Sequence, residues 1–267
     1  MNVIKSQRFG YSIRKITDNI LETIVPVSGY IKTIYNTSFD VKANGYLFNF
    51  NTDESRLHPL SVLIDETILN YIHPETRVRI DKKDISIGQI QLHLDYIIPD
   101  ITYNHKLIFL RPYNLKILNS GLKISKKLSS FFDDIASVLS NIKIQLKNRF
   151  LDSNEYIKYF GGGDGLTPSF DDFFTGLIFT DRVLHNNYIK ADEYFFKTLF
   201  TKTTLPSFYQ LKFASQGKLS LLFERFMNNF LYSKINTKEV LMCMNTGHSS
   251  GTNILYGINF YFTNCAK

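Results

Sequence analysis

The stretch GGGDGLTPSFDDFFTG, residues Gly161–Gly176, places a glycine-rich loop directly before an apolar helical pattern. Glycines at positions 161, 162, 163 and 165 permit positive φ angles and a close approach of the backbone to a ligand. A loop of this kind at a helix N terminus is suited to holding an anion, because its amide groups and the helix dipole both favour negative charge. The stretch therefore predicts a loop, a helix and a small-anion site.

The polar residues at the start of this helix carry two further predictions. Thr167 or Ser169 is expected to cap the helix, with Pro168 preset for its first turn. Asp171 and Asp172 then fall in the first turn, where carboxylates complement the helix dipole. Adjacent helical side chains point about 100° apart, so the two aspartates are expected to have different roles. A functional aspartate here would orient an NH-bearing substrate or bind a metal; simple dipole compensation is the alternative.

A second polar loop precedes a helical pattern at TKTTLPS, residues Thr201–Ser207. Lys202, Thr203, Thr204 and Ser207 could supply further contacts to a phosphate or carboxylate group. A plain loop with capping hydroxyls explains these residues equally well.

A third loop is GHSSGTN, residues Gly247–Asn253, which also lies before an apolar run. His248 is the candidate acid–base group or hydrogen-bond donor, with Ser249 and Ser250 beside it. A structural histidine is the alternative. Three such loops in one chain indicate one composite site.

The chain changes its hydrophobic period near the middle. The N-terminal half alternates at period two over Ile90–Ile98, and further short strands are predicted at 45–50, 77–80 and 106–110. Apolar residues recur at helical spacing over 131–150, 173–184 and 219–231. We therefore predict an α+β protein with a β-rich N-terminal domain, residues 1–118, and a mainly helical C-terminal domain, residues 119–267. Asn119, Ser120 and Gly121 are predicted to form the linker.

Composition limits the class of protein. With 44% hydrophobic and 21% charged residues, the 267-residue chain has the balance of a soluble globular protein. Only two cysteines are present, which favours a reducing, cytoplasmic location over a disulfide framework. No window reaches the roughly 18 consecutive apolar residues that a membrane span needs. The net charge of +7 permits an anionic ligand, but the lysines and arginines are scattered, so nucleic-acid binding is not expected.

Several familiar motifs are absent. No Gly-Lys-Ser/Thr follows the glycines, so the first loop is not a Walker A motif, and its spacing differs from the dinucleotide fingerprint. Ser249 and Ser250 lack the strand-flanked elbow of a serine nucleophile. The histidines show no metal-ligand spacing, so no metal site is predicted, although the paired aspartates leave Mg²⁺ possible.

At the three loops together the chain resembles the AllH-like family, whose best-known member is a subunit of the three-subunit oxamate carbamoyltransferase of anaerobic allantoin breakdown. The residues that match the family pattern are Gly163, Gly165, Leu166, Thr167, Pro168, Ser169, Asp171, Asp172, Thr203, Thr204, Ser207, Gly217, Gly247, His248, Ser250 and Gly251. Three positions depart from the family pattern: Asp164 stands in place of Pro, Phe170 in place of Gly and Lys202 in place of Arg. Phe170 is expected to narrow the pocket or shift the acceptor preference.

The resemblance implies carbamoyl transfer within a complex of protein subunits. The substrates would be small anions: oxalurate with phosphate, or oxamate with carbamoyl phosphate. Asp171, Asp172 and His248 would be catalytic. The substrate-binding residues would be Gly163, Gly165, Thr167, Ser169, Lys202, Thr203, Thr204, Ser207, Ser249, Ser250 and Gly251. The alternative is a non-catalytic subunit that binds a small anion and serves assembly or regulation.

Overall fold

The computed structural model describes residues 8–14, 26–103, 112–124, 131–163 and 166–265. The chain divides into two compact units, Met1–Thr102 and Tyr103–Lys267. The first consists mainly of strands and the second mainly of helices, so the predicted α+β class is confirmed.

The first unit is a closed barrel with strand order β1-β5-β4-β3-β2-β6-β7-β8. Parallel pairing of β1 with β8 and antiparallel pairing of β1 with β5 close it. The phenyl rings of Phe39 and Phe50 stack at 4.6 Å in its core. The strands are β1 Arg8–Arg14, β2 Val27–Ile34, β3 Ser38–Ala43, β4 Tyr46–Asn51, β5 Ser61–Ile64, β6 Arg77–Ile80, β7 Asp84–Ile87 and β8 Ile90–Ile98.

The strands predicted at 45–50, 77–80 and 90–98 are confirmed, and the one at 106–110 lies outside the described residues. The predicted alternation along β8 holds at Ile90 and Leu92, which are buried, but Tyr96 is exposed. A register shift against β1, between Leu94 and Tyr96, interrupts the period of two. A bulge of this kind inserts one unpaired residue into a strand, so one alternating pattern cannot describe both sides of it.

The second unit contains the helices and a small two-stranded sheet, β9 Leu151–Asp152 with β10 Ile189–Lys190. In its described part the helices are α1 Pro112–Ile124, α2 Phe131–Asp134, α3 Ala136–Lys147, α4 Ser169–Val183, α5 Glu193–Leu199, α6 Leu205–Ala214, α7 Leu221–Tyr232, α8 Thr237–Met244 and α9 Ser250–Cys265. The three helices predicted from periodicity are present, with the first one divided at Ile135.

The linker predicted at residues 119–121 is wrong, because these residues lie within α1. A Cβ at Gly121 would lie 2.7 Å from Cγ1 of Val240 in α8. Glycine at this position therefore permits close helix packing, and that packing overrides its low helix propensity. The expected domain boundary between residues 118 and 119 also falls inside α1.

Helices α4 and α9 are in backbone contact at two glycines. A Cβ at Gly176 would lie 2.1 Å from the carbonyl oxygen of Ile254, and a Cβ at Gly257 would lie 2.0 Å from that of Phe173. All four residues are buried. The two helices can approach this closely only because neither glycine carries a side chain.

We expect Gly176→Ala to lower the free energy of unfolding by about 1–3 kcal/mol, because the added methyl group overpacks this contact. Urea denaturation of the purified chain measures the change. Thr263→Ala, on the exposed surface of α9, is the control and should stay within about 0.5 kcal/mol of wild type. Equal stability of the two variants would contradict the role assigned to the glycine contact.

Candidate functional site

The three polar loops meet at the N termini of α4, α6 and α9. The hydroxyl groups of Thr167, before α4, and Ser250, at the start of α9, share a hydrogen bond. Thr204, the N-cap of α6, donates its hydroxyl to the carbonyl oxygen of Leu166 at 2.7 Å. We call these three N termini and the loops before them the helix junction. The prediction that the loops come together is confirmed for their described residues.

The glycines of the first loop are required by its backbone. Gly161 and Gly163 have φ angles of +81° and +101°, which L-residues rarely adopt. A Cβ at Gly161 would lie 2.3 Å from the carbonyl oxygen of Lys202, and a Cβ at Gly163 would lie 2.7 Å from the Cβ atom of Ser169. These glycines let the first loop pack against the second loop and against the start of α4. Asp164 and Gly165 lie outside the described residues.

The predicted cap of α4 is wrong. The N-cap residue is Pro168, and no side chain caps the helix. The Thr167 hydroxyl instead bonds across the junction to Ser250, and the buried Ser169 hydroxyl has no hydrogen-bond partner within the described residues. The backbone N–H of Phe170 instead donates to the carbonyl oxygen of Gly162 at 3.3 Å, so the backbone of the first loop takes the place of a capping side chain.

Asp171 ties the first loop to the second. Its Oδ1 accepts a hydrogen bond from the backbone N–H of Gly161 at 2.8 Å, and its Oδ2 accepts one from the Thr203 hydroxyl. Burial raises the pKa of Asp171 to about 6, opposed mainly by these two donors. Both carboxylate oxygens are already bonded within the protein, so Asp171 acts as a clamp between loops.

Asp172 differs from Asp171 in that only one of its two carboxyl oxygens has a hydrogen-bond partner among the described residues. Its Oδ1 accepts a hydrogen bond from Nε2 of Gln210 in α6 at 2.8 Å, but its buried Oδ2 has no hydrogen-bond partner in the described part of the chain. Burial raises the pKa of Asp172 to about 7, opposed by Gln210 and by the nearby hydroxyls of Ser250 and Thr167, although neither hydroxyl is in hydrogen-bonding geometry with Oδ2. The Oδ2 atom is thus available to a ligand, and the carboxyl group can change its protonation state near neutral pH.

Other buried polar groups on the helices of the junction also lack partners among the described residues. An unpaired buried polar group costs about 1–3 kcal/mol, so a cluster of them indicates an absent ligand or water. The side-chain atoms concerned are Ser169 Oγ, Asp172 Oδ2, Ser207 Oγ, Thr252 Oγ1, Asn253 Oδ1 and Asn253 Nδ2. Each of these residues is at most 1% exposed.

The remaining predicted site residues lie at the rim of the junction or serve packing. Lys202 and His248 are exposed, and Ser249 is half-buried in the turn before α9. Gly251 is buried, and a Cβ there would lie 1.9 Å from the carbonyl oxygen of Cys243 in α8. Gly251 therefore serves helix packing.

Phe170 does not face the junction, which corrects the expectation that it narrows a pocket. It is fully buried, and its ring contacts those of Phe160 and Phe174 at 5.1 and 5.6 Å. Although Phe170 lies in the first turn of α4, its side chain points toward the aromatic core and away from Asp172.

Two polar residues of the junction were not among the predicted site residues. Gln210 holds Asp172, and Asn253 is fully buried on α9. Each is a polar residue next to apolar helical residues, in FYQL for Gln210 and in NILYG for Asn253. That pattern is the signal that could have identified them.

No group of three or more His, Cys, Asp or Glu side chains among the described residues is arranged to hold a metal ion. A Mg²⁺ site at the aspartates therefore stays a prediction. None of the described helices is long and apolar enough to cross a membrane.

The structure defines an α+β protein whose helical unit gathers three helix N termini around a buried acidic pair. The family model of the oxamate carbamoyltransferase subunit AllH matches residues 159–262, which include all three loops, helices α4–α8 and most of α9. The resemblance inferred from the loop motifs is confirmed over these residues. No curated protein and no solved structure gives a significant match to the chain.

The raised pKa of Asp172 predicts a pH-dependent stability. The folded state binds this proton more tightly than the unfolded chain, so the contribution to stability is full at low pH and is lost as the pH rises through about 7. We expect the free energy of unfolding of Asp172→Asn, which cannot ionise, to fall less than that of wild type between about pH 4 and about pH 8.

Urea denaturation across that pH range measures the effect. Asp134→Asn, at an exposed aspartate of α2, is the control and should follow wild type. If the free energy of unfolding varied with pH in the same way for wild type and Asp172→Asn, the pKa of Asp172 would not be raised by folding.

Proposed function

We propose that this chain is a subunit of a carbamoyltransferase-type complex and that the helix junction binds its small anionic substrate. One observation carries the proposal: the family match covers the junction, where Asp172 Oδ2 and neighbouring polar atoms are buried without partners among the described residues. A subunit of a carbamoyltransferase implies other protein subunits as partners. The substrate class is carbamoyl phosphate or phosphate, paired with an oxamate- or oxalurate-like compound.

The junction has the electrostatics that such substrates need. Each helix N terminus carries a partial positive charge of about half an elementary charge and unpaired N–H groups. Three of them converge here, with the exposed Lys202 at the rim. A phosphate or carboxylate group would be held by these donors, together with the hydroxyls of Ser169 and Ser207, in the manner of other helix-terminus anion sites.

The reaction proposed is phosphorolysis of a ureido group. A phosphate oxygen attacks the ureido carbonyl carbon of oxalurate, and the bond from that carbon to the oxamate nitrogen breaks. The nitrogen takes up the proton that phosphate loses, giving oxamate and carbamoyl phosphate. The intermediate is a tetrahedral oxyanion, which fixed N–H donors stabilise because they need no reorganisation during the reaction.

The two aspartates have different roles in this proposal. Asp172 Oδ2 accepts a hydrogen bond from the NH₂ of the carbamoyl group, and its titration near neutral pH allows proton exchange with the substrate. Asp171 keeps the first two loops together through Gly161 and Thr203. His248, exposed before α9, polarises the carbonyl group or carries a proton at the rim.

A non-catalytic role is the second candidate. The exposure of both His248 and Lys202 favours it, since neither side chain is enclosed with Asp172. The chain would then bind a small anion and support assembly or regulation. Binding of the anion without turnover, even with the partner subunits present, would support this non-catalytic role.

The first experiment is a thermal shift of the purified chain with phosphate, carbamoyl phosphate, oxamate and oxalurate, each with and without Mg²⁺. A ligand at 100 times its Kd stabilises by about 2.7 kcal/mol, and each kcal/mol raises the Tm by roughly 2–4 °C at this size. A shift that Asp172→Asn removes supports a site at the junction. Dependence of the shift on Mg²⁺ tests the metal prediction.

We expect Asp172→Asn to lower the activity of the reconstituted complex by roughly 10²- to 10³-fold, the usual effect of removing one fixed contact to the reacting group. Asp171→Ala should also abolish activity, because the two loops separate. Asp134→Asn is the control and should keep wild-type activity. Full activity of Asp172→Asn would overturn the proposed role of this carboxylate.

A further inference from the structure

Asn253 presents an unusual buried group. It lies in the first turn of α9, and its side chain is 0% exposed. Neither its Oδ1 nor its Nδ2 has a hydrogen-bond partner within the described residues. A primary amide can form up to four hydrogen bonds, so one buried with none is destabilising unless something else fills the position.

The position of Asn253 connects it to the helix junction. Residues three apart on a helix share a face, so Asn253 lies on the same face of α9 as Ser250. The Ser250 hydroxyl is one of the groups that lower the pKa of Asp172. The next residue, Ile254, has its carbonyl oxygen against Gly176, one turn along α4 from Asp172. The buried amide and the acidic residue thus border the same α4–α9 contact.

Gln210 determines which oxygen of Asp172 remains available. Its Nε2 donates to Oδ1 at 2.8 Å and lies 3.5 Å from the hydroxyl of Thr175. Oδ1 already accepts this bond, whereas Oδ2 has no partner among the described residues and is the oxygen most in need of a donor. The region therefore offers two acceptors, Oδ1 of Asn253 and Oδ2 of Asp172, and one donor, Nδ2 of Asn253.

This set is complementary to an H₂N–C=O group. One N–H of such a group pairs with Asn253 Oδ1 while its carbonyl accepts from Nδ2, in the reciprocal arrangement of two primary amides. The second N–H pairs with Asp172 Oδ2. A phosphate or carboxylate group alone would leave both acceptors unpaired.

We propose that Asn253 is a specificity-determining residue that recognises the carbamoyl or carboxamide group of the ligand. The inference rests on the proposed function and names the part of the substrate that the junction recognises by hydrogen bonding. It predicts discrimination between oxamate and pyruvate, which differ only by NH₂ in place of CH₃. Sites that hydrogen-bond a substrate NH group reject an analogue lacking it, here by at least roughly 100-fold.

The test is calorimetric titration of the full chain with oxamate, pyruvate and phosphate. Wild type should prefer oxamate over pyruvate at least about 100-fold. Asn253→Leu should bind both compounds alike and weakly, while keeping its affinity for phosphate. Its stability should equal or exceed that of wild type, because an apolar group replaces unpaired polar atoms of similar shape. Lost recognition without lost stability cannot be attributed to unfolding.

Two further variants complete the test. Asn253→Asp keeps the shape but removes the donor, and it should also lose the preference for oxamate. Thr263→Ala removes an exposed hydroxyl of the same helix that is not part of the junction, and it should behave as wild type. If Asn253→Leu does not fold, Asn253→Asp decides the question.

The outcomes separate this inference from the proposed function. Wild-type oxamate affinity in Asn253→Leu, or in Asn253→Asp when the former does not fold, overturns the role of Asn253 and leaves the proposed function standing; the buried amide then holds only water. No binding of phosphate, carbamoyl phosphate, oxamate or oxalurate by wild type overturns the proposed function and this inference together.

Discussion

The close contact between α4 and α9 at Gly176 and Gly257 is the constraint on which the helix junction depends. Backbone atoms of the two helices meet there without intervening side chains. That approach brings the start of α9 to the start of α4, where Ser250 and Thr167 bond to each other. Side chains at these two positions would force the helices apart and would disturb the junction.

The junction also shows why two adjacent aspartates are not redundant. Because neighbouring residues on a helix point in different directions, Asp171 meets the loops at Gly161 and Thr203, while Asp172 meets α6 at Gln210. Both carboxyl groups are buried, and both have raised pKa values. Only Asp172 keeps an oxygen without a partner among the described residues. A single step along one helix therefore separates a structural aspartate from the aspartate to which we assign ligand binding in the proposed function.

Much of the fold followed from hydrophobic period. Alternation located β8, and helical spacing located α4 and α7, because both patterns report which face of an element is buried. The errors arose where tertiary contacts override local preference. Gly121 suggested a linker but packs under Val240, and Thr167 suggested a cap but bonds to Ser250. In both cases the deciding partner is more than 80 residues away in the sequence.

The sequence predicted the loops of the candidate site but not the buried polar residues inside it. Glycine, threonine and serine near a helix start have local signatures, so the sequence alone identified the three loops and the acidic pair. It also identified the family resemblance, which the match over residues 159–262 confirms. It did not distinguish Asp171 from Asp172, and it gave no reason to select Gln210 or Asn253.

The sequence by itself determined the class of fold, the loops and the residue types available for chemistry, because these depend on spacing along the chain. Only the tertiary structure decided which polar atoms of those residues are already satisfied. Asp171 is bonded at both oxygens, whereas Asp172 and Asn253 retain unpaired buried atoms. That difference depends on partners supplied by helices distant in sequence, which a linear pattern does not encode.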